Sequence, residues 1–355
     1  MTTSMNRRQF VSLAAAAATV VAGSALTGCS GSSSSSDSKA PASLDEIVFV
    51  WEPNESTSAY DNMRDAVAEC ISTGAGVPCK TMTTTDYNVT IESLASGKAQ
   101  MASLGASEYV EVHAQNPAVE IAFVLSNDKG ELDQASYYSQ ICVKKADVDK
   151  YMENGSCVLK DLKGKNISFV SLSSTSGFVI PATKIKNDNN LDSTDEVSQS
   201  GAFFDTVLFP GSHPGSLANL LAGDADLAVF ADYLTTPFLE QTEGEPAQPG
   251  CVYKVKEGVD APLDAYVGDE FVVVASFAVP AVPICINTGV VPEDMVKSIV
   301  DYMCGDEVAN NPEIFPSPDD TDIVSNWSKT TDKVHFVPAD DSYFDKFRKM
   351  IDFEG

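Results

Sequence analysis

The chain has 355 residues, 43% of them apolar and 21% charged, which excludes wholesale disorder and a collagen-like repeat and allows one large domain or two smaller ones with a true core. Lys plus Arg number 23 against 51 Asp plus Glu, a formal charge of -28. There is no basic cluster to neutralise a phosphate backbone, so nucleic acid is not an expected partner.

In chain order, Arg7 and Arg8 come first, followed by an uncharged Ala-rich run from Val11 to Leu26 and small residues up to Gly28. This pattern predicts an export signal over residues 1–28. It is too short and too weakly apolar for a stable span of a hydrocarbon core about 30 Å thick. Asn6-Arg7-Arg8-Gln9-Phe10 resembles the twin-arginine export motif, and Leu26-Thr27-Gly28-Cys29 resembles the lipobox at which bacterial lipoproteins are cleaved and acylated. The resemblance implies lipid attachment at Cys29; the alternative is an ordinary Sec signal with an incidental cysteine. Residues 29–43, dominated by Ser32 to Ser36, predict a flexible polar tether. Loss of Arg7 and Arg8 with the leader leaves 21 basic against 51 acidic residues, a net charge of -30.

From Leu44 onward, short apolar strands alternate with helical stretches, the signature of parallel sheets with crossover helices. Strands are predicted at Ile47 to Trp51, Cys79 to Thr83, Met101 to Leu104 and Val119 to Leu125, with helices at Ser58 to Ser72, Asp86 to Ala95 and Ala106 to Gln115 between them. Asn166 to Val170, Val207 to Phe209 and Leu227 to Phe230 predict a second set, each followed by a helix beginning near Gly177, Pro214 and Tyr233. Ser139 to Val143 and the apolar run Phe271 to Ile286 read as passages between two units, and Pro292 to Met303 and Asp341 to Met350 as helices. The expected fold is α/β, with two lobes like those of type II periplasmic-binding proteins and a ligand cleft between them. Lobe 1 is expected over 44–137 plus 288–355, and lobe 2 over 138–287.

Seven cysteines follow Cys29. Disulfides are permitted outside the cytoplasm, and Cys70 and Cys79 flank a turn that a short bridge would span, although spacing does not settle pairing. His113, His213 and His335 are far apart and no Cys-x-x-Cys occurs, so neither a structural zinc nor any other cofactor is expected.

In open α/β sheets ligands gather where strands end and helix N-termini expose their free amides. Ser171-Leu172-Ser173-Ser174-Thr175-Ser176-Gly177 occupies one such junction, with hydroxyl donors beside free N-H groups. That composition suits an oxyanion, or simply an N-cap in a Ser-rich loop. Tyr87, Tyr109 and His213 stand at other junctions as uncharged donors, and Asp232 as an acceptor. The first junction carries Glu52 and Glu55, suited either to a ligand amine or to capping a helix.

Together, Thr85-Asp86-Tyr87, Leu104-Gly105-Ala106-Ser107-Glu108-Tyr109, Leu162-Lys163-Gly164-Lys165, Ser174-Thr175-Ser176-Gly177, Ser212-His213 and Gly223-Asp224-Ala225-Asp226-Leu227-Ala228 resemble the phosphate/phosphite/phosphonate-binding proteins of ABC transporters. The resemblance implies a monomeric, non-enzymatic receptor that serves a membrane permease. It also implies that Ser174, Thr175 and Ser176 hold a phosphoryl group, with Tyr87, Tyr109 and His213 as further contacts and Asp232 as an acceptor. Two alternatives remain open. One is an enzyme using Ser174 or Ser176 with His213 and Asp232, against which stands the lack of a Gly-x-Ser-x-Gly elbow. The other is a sensor that hands its closed form to a signalling protein.

Overall fold

The computed structural model describes residues 43–351, apart from 56–57, 133–135, 318 and 321–322. The leader, Cys29 and the tether to residue 42 lie outside the described residues. Two sheets organise the rest. The first runs in the order Phe336–Val337, Val119–Leu125, Ile284–Asn287, Met101–Ser103, Ile47–Trp51, Cys79–Thr83. Ile47–Trp51 lies parallel to both Met101–Ser103 and Cys79–Thr83. Strands this deeply covered read as unbroken apolar runs such as IVFVW, and parallel pairing requires the intervening helices Asp61–Ala75 and Tyr87–Ala95 as crossovers.

The second sheet runs Leu239–Glu243, Val252–Val255, Glu270–Pro280, Ser136–Lys144, Leu227–Ala231, Asn166–Ser168, Thr206–Leu208. Only its last three strands are parallel. The others form an antiparallel ribbon, including the hairpin of Leu239–Glu243 with Val252–Val255. The acidic stretch from Glu240 begins inside this hairpin. Four of the five residues in Leu239–Glu243 are exposed, so charges sit on this edge strand at no burial cost and mask it from sequence patterning.

Ser136–Lys144 and Glu270–Pro280 pair from Lys144 with Phe271 to Ser136 with Pro280. The two passages between the sheets therefore run side by side. Ile284–Asn287 already pairs with Met101–Ser103 and Val119–Leu125 in the first sheet. The return thus falls at Ala281-Val282-Pro283, ahead of the 287/288 boundary expected from the apolar run.

Helix ends follow local chemistry. The Asp86 side chain accepts from the Asn88 amide at 2.8 Å, Ser212 accepts from the Gly215 amide at 3.2 Å, and Gly223, at φ 89°, closes the helix His213–Ala222 in the left-handed region that a side chain disfavours. All seven described cysteines are free thiols, so the Cys70–Cys79 bridge allowed by sequence is not formed.

The segment after Ile286 returns to the first sheet. Phe336 is buried among Phe123 at 4.8 Å, Phe315 at 4.8 Å and Trp327 at 4.9 Å between ring centroids. Phe336→Ala should cost about 3–5 kcal/mol in urea denaturation. A loss below about 1 kcal/mol would show that this aromatic cluster does not hold the C-terminal segment to the sheet.

Candidate functional site

Four helical segments begin at residues singled out from the sequence. Tyr87, Thr175, His213 and Asp232 are each the first residue of their segment, and a fifth helix begins at Ala106. The Ser-rich junction is shaped by its glycine. Ser174 caps the helical start and accepts from the Gly177 amide at 3.2 Å. A Cβ on Gly177 would lie 2.4 Å from the Cβ of Val170, so only glycine allows the turn to fold back on the strand end. The segment opens with a π-helical turn, Thr175–Val179, and continues as the α-helix Ile180–Asp188. First-turn amides have no intrahelical acceptor. The Gly177 amide is taken by Ser174, while those of Thr175 and Ser176 border the site.

Elements of the two sheets meet at this turn. Thr175 Oγ1 donates to Glu108 Oε2 at 2.8 Å and accepts from the Ser107 amide at 2.8 Å. The Ser107 hydroxyl lies 2.6 Å from the Ser173 carbonyl oxygen. Asn54 makes a second bridge: its Nδ2 donates to the Tyr87 hydroxyl at 2.7 Å, and its Oδ1 accepts from the His213 amide at 3.3 Å. Between these contacts lies a tight polar space of about 10 Å³, roughly enough for one water.

Of the residues singled out from the sequence, Ser174, Thr175, Ser176 and His213 line this cavity. Tyr87 stands behind it, buried, with Asn54 on its hydroxyl. Asp232 is one residue from the lining Tyr233; its Oδ1 accepts from the amides of Tyr138 at 3.0 Å and Tyr233 at 2.9 Å. Tyr109 is not brought to the cavity. Its hydroxyl donates to Asp341 at 2.9 Å and its ring packs against Phe344 at 5.4 Å, so it ties the C-terminal segment to the helix Ala106–Gln115. The cavity is met instead by its neighbour Glu108, one helical step round.

Glu108, Asn54, Tyr137 and Tyr233 are among the contributors to which the sequence reading gave no role. Glu108 stands inside a quoted junction and Asn54 between Glu52 and Glu55. Tyr137 donates to Ser176 Oγ at 3.3 Å from a strand that carried no junction signal.

No lysine or arginine lines the cavity, whereas Glu52 and Glu108 do. Burial raises Glu108 to about 7, against the hydroxyls that hold its charged form. Burial lowers His213 to about 3. The Ala231 amide donates to His213 Nδ1 at 2.9 Å, so the neutral ring carries its proton on Nε2 as a donor. Burial raises Asp232 to about 6. At neutral pH the site therefore presents uncharged donors and a carboxyl that readily holds a proton.

Residues 49–344 match the family model described as ABC transporter, phosphonate, periplasmic substrate-binding protein. The phosphate-import protein PhnD of Mycolicibacterium smegmatis is 26% identical over 227 residues, covering 64% of this chain and 68% of its own length. Among solved structures, the binding protein component of an ABC phosphonate transporter from Pseudomonas aeruginosa shares the fold with a TM-score of 0.58 at 16% identity, over 87% of this chain and 86% of its own. PhnD1 from Prochlorococcus marinus in complex with methylphosphonate does so with a TM-score of 0.59 at 12% identity, over 86% and 97%.

Glu108 leaves a thermodynamic signature. Its folded pKa of about 7 lies above the ordinary 4.5, so the folded chain holds a proton that the unfolded chain has released. Its contribution to stability falls as pH rises from about 4.5 to about 7. Asp232, raised from 3.8 to about 6, acts in the same sense, and His213, lowered from 6.5 to about 3, acts in the opposite one between those values. In urea denaturation from pH 4.5 to 8, the stability of wild type minus that of Glu108→Gln should decline with pH. A constant difference would mean that Glu108 ionises normally.

Proposed function

Because the chain belongs to the family of periplasmic substrate-binding proteins of phosphonate ABC transporters, we propose that its cavity at the Ser174-Thr175-Ser176 turn captures a small phosphonate or related phosphorus oxyanion for delivery to a membrane permease. As a member of that family it works outside the cytoplasm; among the described residues no helix is long and apolar enough to cross a membrane. The observation that carries the reading of the site is the convergence of helix N-termini, three consecutive hydroxyl residues and a neutral histidine on one small polar space. Free first-turn amides and hydroxyls stabilise an oxyanion without a counter-cation.

The two sheets are the cores of two lobes, and Ser136–Lys144 with Glu270–Pro280 lead into the crossings on which they close over the ligand. The protein acts as a monomer, held to the membrane by lipid on Cys29 through its polar tether. It performs no chemistry. Ser174 Oγ is engaged with the Gly177 amide and the basic nitrogen of His213 with the Ala231 amide, which disfavours a Ser–His nucleophile pair.

Glu108 adds a proton-linked element. Below about pH 7 its carboxyl is neutral and tolerates an anion; above that its charge opposes one. Calorimetry with methylphosphonate should give a Kd whose ratio between wild type and Glu108→Gln rises with pH through about 7; the ligand's own titration cancels in that ratio. A flat ratio would remove Glu108 from the binding equilibrium.

Titration with methylphosphonate, phosphate, phosphite and sulfate tests the main reading. At least one phosphorus oxyanion should bind far more tightly than sulfate, and Ser176→Ala, which removes a hydroxyl that accepts from Tyr137 and keeps its own proton to donate, should weaken it by roughly 10- to 150-fold, the equivalent of one hydrogen bond to a charged group. Tyr109→Phe, remote from the cavity, should change Kd by less than about twofold. Absence of binding to every phosphorus oxyanion would overturn the proposal, and a large loss with Tyr109→Phe would overturn the assignment of the site.

A further inference from the structure

A second cavity, of about 80 Å³, adjoins the polar one. Its walls are Leu125, Ala281 and Val282 from the ends of the passages between sheets, the rings of Tyr137, Tyr233 and Trp327, and one amide, Asn326. No charged side chain is among them. Tyr137, Tyr233 and Val282 line both cavities, so the two spaces share a wall. Tyr137 turns its hydroxyl to Ser176 on the polar side, and its ring meets Tyr233 edge to face, with centroids 4.9 Å apart and planes at 90°. One wall thus has a polar edge and an apolar face.

Resting on the phosphorus-oxyanion reading of the polar cavity, we propose that the adjoining chamber is the subsite for an uncharged apolar substituent on the ligand, an alkyl or aryl group carried by the phosphonate and seated against Tyr137, Tyr233, Val282 and Trp327. The argument is one of chemical sorting. The polar cavity has hydroxyls, amides and carboxyls to satisfy an oxyanion but little room beyond it, whereas the chamber offers area and no charge. A substituent passing the Tyr137–Tyr233 pair leaves water for aliphatic and aromatic walls, where each fully buried methylene tightens binding about fourfold. An ammonium placed there would lose its hydration with no carboxylate to replace it. The chamber therefore selects against a cationic substituent of equal size, even though Glu52 and Glu108 lie in the neighbouring cavity.

The test is calorimetry of the wild-type chain with methyl-, propyl-, phenyl- and 2-aminoethylphosphonate, the last being close in size to the propyl compound. Propyl- and phenylphosphonate should bind at least about tenfold more tightly than methylphosphonate, and propyl- more tightly than 2-aminoethylphosphonate. Ala281→Leu, which narrows the chamber without touching the polar cavity, should erase the phenyl advantage and leave methylphosphonate affinity unchanged. Leu125→Phe narrows it from another wall and should do the same if Ala281→Leu does not fold. Equal or weaker binding of the larger apolar ligands, or a preference for 2-aminoethylphosphonate over propylphosphonate, would overturn the chamber while methylphosphonate binding left the oxyanion reading standing. Failure of all four phosphonates and of phosphate would overturn both.

Discussion

The arrangement depends on a buried clasp in which Thr175, at the start of a helix beside the second sheet, donates to Glu108 and accepts from the Ser107 amide beside the first. A buried carboxyl is costly to ionise, and the two hydroxyls that donate to Glu108 offset only part of that cost. The clasp joins the two sides of the cavity at the turn whose residues Thr175 and Ser176 line it. Its strength responds to anything that changes the protonation of Glu108.

An acidic protein that receives an anion looks contradictory only if total charge is taken to govern the site. Surface carboxylates more than about 8 Å away are screened at physiological salt, whereas donors about 3 Å from a guest in a closed cavity act with little screening. Helix N-termini, neutral His213 and the Tyr137 hydroxyl supply donors at the cavity. Two carboxyls, Glu52 and Glu108, line the cavity; an ionised carboxylate there is an acceptor for a protonated oxygen and opposes a fully ionised one. Burial leaves the histidine uncharged near neutrality and brings the glutamate to about half protonated, from opposite directions.

The passages between the sheets do more than connect them. Ser136–Lys144 and Glu270–Pro280 are neighbours along their whole pairing, so the two crossings lie together, and residues at their ends wall the chamber beside the polar cavity. A group seated against Ala281 and Val282 therefore touches the part of the chain about which the halves would turn.

Much of the molecule was legible from the residues in order. Apolar runs such as Ile47 to Trp51 and Leu227 to Ala231, punctuated by Asp86, Ser212 and Gly223, determined the strands, the helix starts and hence the junctions, because strand burial and helix capping depend on neighbours a few positions away. That locality is why Ser174, Thr175, Ser176 and His213 were found. The choice between Glu108 and Tyr109 was decided only by the tertiary structure: the two are one step apart on the same helix, and which faces the cavity depends on Phe344 and Asp341 packing against the other side from more than two hundred residues away. The same holds for Tyr137 and Trp327, whose strand or loop carries no local signal of the walls they form. Helix phase and the meeting of distant surfaces are set by the closest packing of the whole chain, which no local pattern encodes.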